Sequence, residues 1–229
     1  MTSRPKPALK YYQYISGSKL DMLSEQVPLP LRQRIAAELS VDLKIFKLSA
    51  HSERASDETR HAKLRLVETF IDENELAGTV EEPLEYFRGS MVLGMTLYDE
   101  VRGSPRDVVF WGGKAGSTRL GLAGSTYHLV GERRSNSQDK SASQMARIMP
   151  ALDPELVDLT PPVEVDDSDD PAEGLRRRAV DSVSRVIRRA SSFQGHKEFL
   201  AVTLLRDTNE AGQVVLLGSP IYVANAPQR

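Results

Sequence analysis

Cysteine is absent from this chain of 229 residues. Disulfides, thiolate metal sites and cysteine nucleophiles are therefore excluded, and no disulfide framework points to a secreted scaffold. An excess of one charge is also missing: 30 Lys and Arg stand against 32 Asp and Glu, for a formal net charge of -2. Whole-chain attraction to nucleic acid or membrane is thereby excluded, and any such binding must rest on a local patch. No apolar run approaches the length of a membrane span. The polar start, with Pro5 and Pro7, lacks the apolar stretch of a signal peptide. The expectation is a cytoplasmic protein without membrane attachment. His51, His61, His128 and His196 form neither His-x3-His nor His-Glu-x2-His spacing, so no metal and no cofactor is expected.

What is present suits a globular chain with an ample core: 40% hydrophobic and 27% charged residues. Residues 10–16 are aromatic and β-branched and predict a strand. Leu20 and Leu23 predict a helix over 19–26, and Leu31, Ile35 and Leu39 a second over 31–39. Alternation of Val41, Leu43 and Ile45 predicts a strand over 41–48. Leu64, Val67 and Ile71 mark the longest helix, 57–77, with Ser56 to cap it and Gly78 to end it. Apolar runs at 86–98, 107–111 and 118–130 read as successive antiparallel strands, and their glycines Gly89, Gly94, Gly121 and Gly124 suggest bulges or close backbone approach. The stripe Ala179, Val183, Val186 and Ala190 predicts a helix over 175–193. Residues 199–205 and 213–224 predict a terminal hairpin turning at 207–212.

Four stretches read as unstructured. These are the tails 1–9 and 225–229, a polar loop at 132–143, and an acidic insertion at 160–174 that carries Asp166, Asp167, Asp169 and Asp170. The fold class expected is α+β: an antiparallel or mixed β-sheet with helices packed mainly on one face, forming a single domain over 10–224.

Four stretches invite a chemical reading. Gly112 to Thr118 resembles a phosphate loop, but Lys114 is followed by Ala115 and then a strand, so a hairpin turn fits better. Ser125 and His128 are candidates for a nucleophile–base pair. However, Gly121 to Ser125 is not a Gly-x-Ser-x-Gly elbow, and an extended 124–128 would send the two side chains to opposite faces. Arg176, Arg177, Arg178, Arg185, Arg188 and Arg189 make a basic helix face that could track phosphates. Only Phe193 is near for stacking, which argues against nucleic acid and for a solvated face. Finally, Gly-Ser recurs at Gly17-Ser18, Gly89-Ser90, Gly124-Ser125 and Gly218-Ser219. Glycine admits a ligand to the backbone and serine offers a hydroxyl. Gathered at one sheet edge with Ser16, Lys19, Arg88, His128 and Tyr222, these positions would line a small-molecule site. The bland alternative is a set of β-bulges and turns.

Residues 11–23 with Gln26-Val-Pro28, Tyr86 to Gly89, Val109 to Gly113, Gly124 to Gly131, Phe199 to Ala201 and Gly218 to Ala224 resemble an uncharacterised actinobacterial protein family of unknown function. The resemblance spans nearly the whole chain in blocks and implies one folded unit. It also implies a place in multi-component signalling or conflict (defence) systems, and it carries no catalytic residues across.

The leading functional expectation is a non-catalytic sensor or interaction module for a small anionic ligand or a partner protein. Its ligand-binding residues are Ser16, Ser18, Lys19, Arg88, Ser125, His128, Ser219 and Tyr222. The alternatives are a hydrolase acting on a phosphate or ester through Ser125 and His128, and a nucleic-acid binder using helix 175–193. Exposed edge strands could pair into a homodimer.

Overall fold

The computed structural model describes residues 10–44, 57–98, 108–131, 180–187, 194–209 and 211–226. The aromatic opening forms β1 (Tyr11–Ile15) and leads through Ser16 into α1 (Gly17–Gln26). Helix α2 (Leu29–Leu39) carries Pro30 in its first turn, where a missing N–H leaves no helical bond unmade. It ends at Ser40, which takes the left-handed conformation and donates its N–H to the carbonyls of Ala36 and Ala37. Helix α3 (Asp57–Glu73) is followed by Glu75 at φ 52 and the short β2 (Ala77–Gly78).

The remaining strands are β3 (Tyr86–Tyr98), β4 (Val108–Ala115), β5 (Thr118–Ser125), β6 (Gln194–Thr208) and β7 (Val214–Asn225). They close into a five-stranded barrel in the order β3-β4-β5-β7-β6, returning to β3. Within this circuit only β5 and β7 run parallel. Closure depends on β3, whose residues 86–94 pair with β6 while 94–98 pair with β4. The fold is thus α+β with a mixed sheet. The closed circuit was not expected from the sequence, because pairing between strands so distant in the chain leaves no local signature.

Period-two alternation sorts the side chains of the barrel. Phe87, Leu93, Val109, Trp111, Leu120, Leu122, Phe199, Leu216 and Val223 fill the interior, and Tyr14 joins them from β1. The intervening Val108, Phe110, Ala123, Val215 and Leu217 pack under Val180, Val183, Val186 and Ile187 of α4, the helical residues 180–187. Another outer patch, with Leu200, Ile221 and Ala224, is covered by Leu20 of α1 and by Leu64, Val67 and Ile71 of α3. Helix α2 packs on α3 through Ile35 and Ala36.

Several expectations are corrected by this packing. Within 41–48 the described residues form no strand. Residues 43–44 make a 3-10 turn, and Val41 and Leu43 pack against the α2–α3 pair, so burial there overrides the alternating pattern. The long helix stops at Glu73 rather than 77, because Ala77 is recruited to pair with Tyr86. The strand expected over 118–130 ends at Ser125, and Thr126–His128 form a 3-10 turn. Gly112 to Thr118 is a hairpin in which Ala115 faces Thr118 across a two-residue turn with Gly116 at φ 54. Of the four glycines expected to mark bulges or close approach, Gly89, Gly121 and Gly124 face aromatic rings, as does Gly218. Phe199, Phe110, Tyr14 and Phe87 occupy the space a side chain would need at Gly89, Gly121, Gly124 and Gly218. Residues 1–9, 45–48, 132–143 and 160–174, and the arginines at 176, 177, 178, 188 and 189, lie outside the described residues.

Candidate functional site

One edge of β7 changes partner midway. It pairs with β5 up to Gly218 and with β1 from Tyr222 onward. Between them lie Ser219, Pro220 and Ile221, and the Ile221 carbonyl accepts the Ser16 N–H at 2.8 Å. Pro220 stands opposite Ala201 of β6 where the β6–β7 register shifts, and such an irregularity tolerates a residue without an N–H. The ends of β1 and β5 therefore open beside the same short stretch of β7, and the residues that follow each strand meet there.

After β1 the chain turns through Ser16 into α1, so Ser18 and Lys19 fall in the first helical turn. After β5 the turn Thr126–His128 forms, with Ser125 Oγ accepting the Tyr127 N–H at 3.3 Å. Leu129 then bridges to Tyr14, and the Val130 N–H donates to the Gln13 carbonyl. This return along β1 brings His128 to α1. Ser18 Oγ and His128 Nε2 are 2.9 Å apart, although they are separated by 110 residues. The imidazole is buried, with Tyr14 and Tyr127 set edge-on to it, while Ser18 stays partly open to solvent.

Lys19 Nζ donates to Ser16 Oγ at 3.4 Å, and among the described residues it has no carboxylate partner. The nearest acid in sequence, Asp21, is engaged with Lys63 at 2.6 Å. Burial alone lowers the Lys19 pKa from 10.5 to about 8, because a charge removed from water is costly when nothing neutralises it. Ser16 makes no side-chain cap, so its hydroxyl is not spent on the helix N–H groups. The Tyr14 hydroxyl lies behind Ser16 and Ser125. Burial raises its pKa far above the tyrosine range, against smaller downward contributions from the Ser16 side chain and the Ser125 backbone, neither of which reaches hydrogen-bond geometry.

Of the residues singled out in the sequence, the structure brings Ser16, Ser18, Lys19, Ser125 and His128 together at this rim. Ser219 is buried on the adjoining stretch of β7, opposite Val202. Arg88 points outward from β3 and pairs with Asp72 of α3. Arg185 of α4 donates to Ser182 Oγ.

Tyr222 belongs to a second polar group, which sequence reasoning missed apart from that one residue. Its hydroxyl donates to Glu198 at 3.1 Å, and Lys10 lies 2.6 Å from Glu198 and 3.7 Å from Glu68. Burial, helped by Asp72 and Glu198, raises the Glu68 pKa against the opposing pull of Lys10 and Tyr222. A raised carboxyl pKa means the folded state binds the proton more tightly than the unfolded chain. Stability contributed by Glu68 is therefore full below the ordinary glutamate range and falls as pH rises through the elevated value. Glu68→Gln should flatten that slope, and thermal midpoints followed from pH 4 to 7 (roughly the carboxylate window) check it.

Among the described residues no group of three or more His, Asp or Glu could hold a metal ion, and no helix is long and apolar enough to cross a membrane. A groove of about 430 Å³ between α2 and α3 is lined by Leu31, Phe70 and Arg34, and Arg34 is paired with Glu73.

No curated protein and no solved structure matches the chain. Residues 10–227 match the profile of a family of unknown function, DUF7019. The match runs from the start of β1 past the end of β7, so it takes in the whole barrel and both segments that build the rim, and the chain belongs to that family.

Proposed function

We propose that the protein binds a small anionic ligand at the β1–α1 rim and acts as a sensor or interaction module. The observation that carries this reading is Lys19, a half-buried ammonium without a carboxylate partner among the described residues, at the start of a helix. The unbonded N–H groups of a first helical turn and the helix dipole both favour negative charge. Ser16 and Ser18 add hydroxyls beside that charge, and His128 supports Ser18 from behind. An anion seated there would offset the cost of burying Lys19. A sensor of this kind also suits the signalling or defence setting that the sequence resemblance implies.

The test is thermal unfolding with inorganic phosphate, pyrophosphate, citrate and nucleotides at pH 7. A ligand at about a hundred times its dissociation constant adds roughly 2.7 kcal/mol, an increase of about 5–11 °C for a chain of this size. The increase should shrink at pH 9, where Lys19 is largely neutral. An increase of the same size at both pH values, or none with any anion, rejects the reading.

A further inference from the structure

The rim holds more than an anion seat. We infer that Ser18 is a nucleophile, with His128 as its base, for acyl transfer from a carboxylic ester. Three observations carry this. Ser18 Oγ and His128 Nε2 stand 2.9 Å apart, within the reach general-base catalysis requires. The base is buried behind a serine that is partly open to solvent, so a substrate meets the hydroxyl first. The serine also follows a strand–turn–helix junction, Ile15 to Ser18, which presents a nucleophile beside the first N–H groups of a helix.

In the tautomer with its proton on Nδ1, His128 accepts the Ser18 hydroxyl proton at Nε2 as Oγ bonds to the ester carbonyl carbon. The carbonyl π electrons move onto oxygen, and the resulting oxyanion lies in the positive potential of Lys19 and the α1 N–H groups. Collapse breaks the bond to the leaving alkoxide, which takes the proton back from His128. Water, deprotonated by the same nitrogen, then adds to the acyl carbon; collapse breaks the bond from that carbon to Ser18 Oγ, His128 returns the proton to Oγ, and the acid departs. The inference shares its place with the proposed anion site but does not require a free anion to bind.

The test uses the full chain and a fluorophosphonate probe, with the adduct located by mass spectrometry. Wild type should be labelled on Ser18, Ser18→Ala should not be, and Ser117→Ala, in the exposed β4–β5 turn, should label like wild type. Because the chain has no cysteine, Ser18→Cys introduces a unique thiol and gives a second readout. Its alkylation by iodoacetamide at pH 7 should be about tenfold faster than that of Ser117→Cys, since a thiol beside imidazole and a helix start has more thiolate. Adding His128→Gln should bring the rate down to the control. Absence of labelling in folded wild type, labelling that persists in Ser18→Ala, or equal alkylation rates would overturn the inference. Loss of the phosphate-induced thermal shift with Ser18 labelling intact would remove the anion reading alone.

Discussion

Trp111→Ala should lower the thermal midpoint by about 6–20 °C. The indole is fully buried inside the barrel, where Tyr14 meets it edge-on at 5.4 Å. Truncating a buried aromatic of this size costs about 3–5 kcal/mol, and each kcal/mol moves the midpoint of a chain this long by roughly 2–4 °C. A closed barrel cannot collapse around the void as an open sheet can, because each strand is held on both edges, so the upper part of that range is expected. Trp111→Phe is the informative partner. Among the described residues Trp111 Nε1 has no hydrogen-bond partner, so phenylalanine sacrifices no bond seen there and removes a buried donor that costs free energy. Its midpoint should fall by less than that of Trp111→Ala, because one ring stays in place and the void left behind is smaller. Calorimetry on both variants decides the matter, and equal losses would mean that ring volume is not what Trp111 contributes.

Lys19→Met should do two opposite things. The fold pays for a half-buried ammonium whose pKa has dropped from 10.5 to about 8. Below pH 8 the lysine is charged in both the folded and unfolded chain and the full penalty is present. Between about pH 8 and 10.5 the unfolded chain binds the proton more tightly, so stability rises with pH. Methionine removes the charge at every pH. The variant should be more stable than wild type at pH 7 by about 1–3 kcal/mol, or about 2–12 °C, and should lack the alkaline gain. It should also lose the stabilisation by phosphate or other anions that wild type shows. A residue that costs stability yet governs ligand response is a familiar trade at functional sites. If Lys19→Met were less stable than wild type and kept its response to anions, the proposed role of Lys19 would be wrong.

Much of the local structure was legible because it is written in short-range periodicity. The aromatic run at β1, the stripe Leu64, Val67 and Ile71 in α3, and the hairpin at Gly116 all follow from side-chain spacing or turn chemistry. The failures have a common cause. Val41 and Leu43 alternate like a strand, but both pack, partly buried, against the α2–α3 pair. Ala77 continues a helical stretch, but pairing with Tyr86 claims it. Thr126 to His128 follow an apolar strand without a break, yet Ser125 caps a turn there. In each case a tertiary contact outweighed a local preference worth a fraction of a kcal/mol per residue.

The candidate site divides in the same way. The residue types at Ser16, Ser18, Lys19 and His128, and the lack of cysteine and of metal-ligand spacing, were set by the sequence alone. So were the glycines that leave room for Tyr14 and Phe87. Which serine meets His128 was not, because it depends on where β7 exchanges β5 for β1 and on the return of Leu129 along Tyr14. Those pairings join segments roughly one to two hundred residues apart, and their registers are chosen by burial of one face of every strand at once. The same pairings leave Arg88 on the outer face of the barrel and tie Tyr222 to Glu198. Side-chain chemistry can be read one residue at a time, whereas a shared site exists only once the barrel closes.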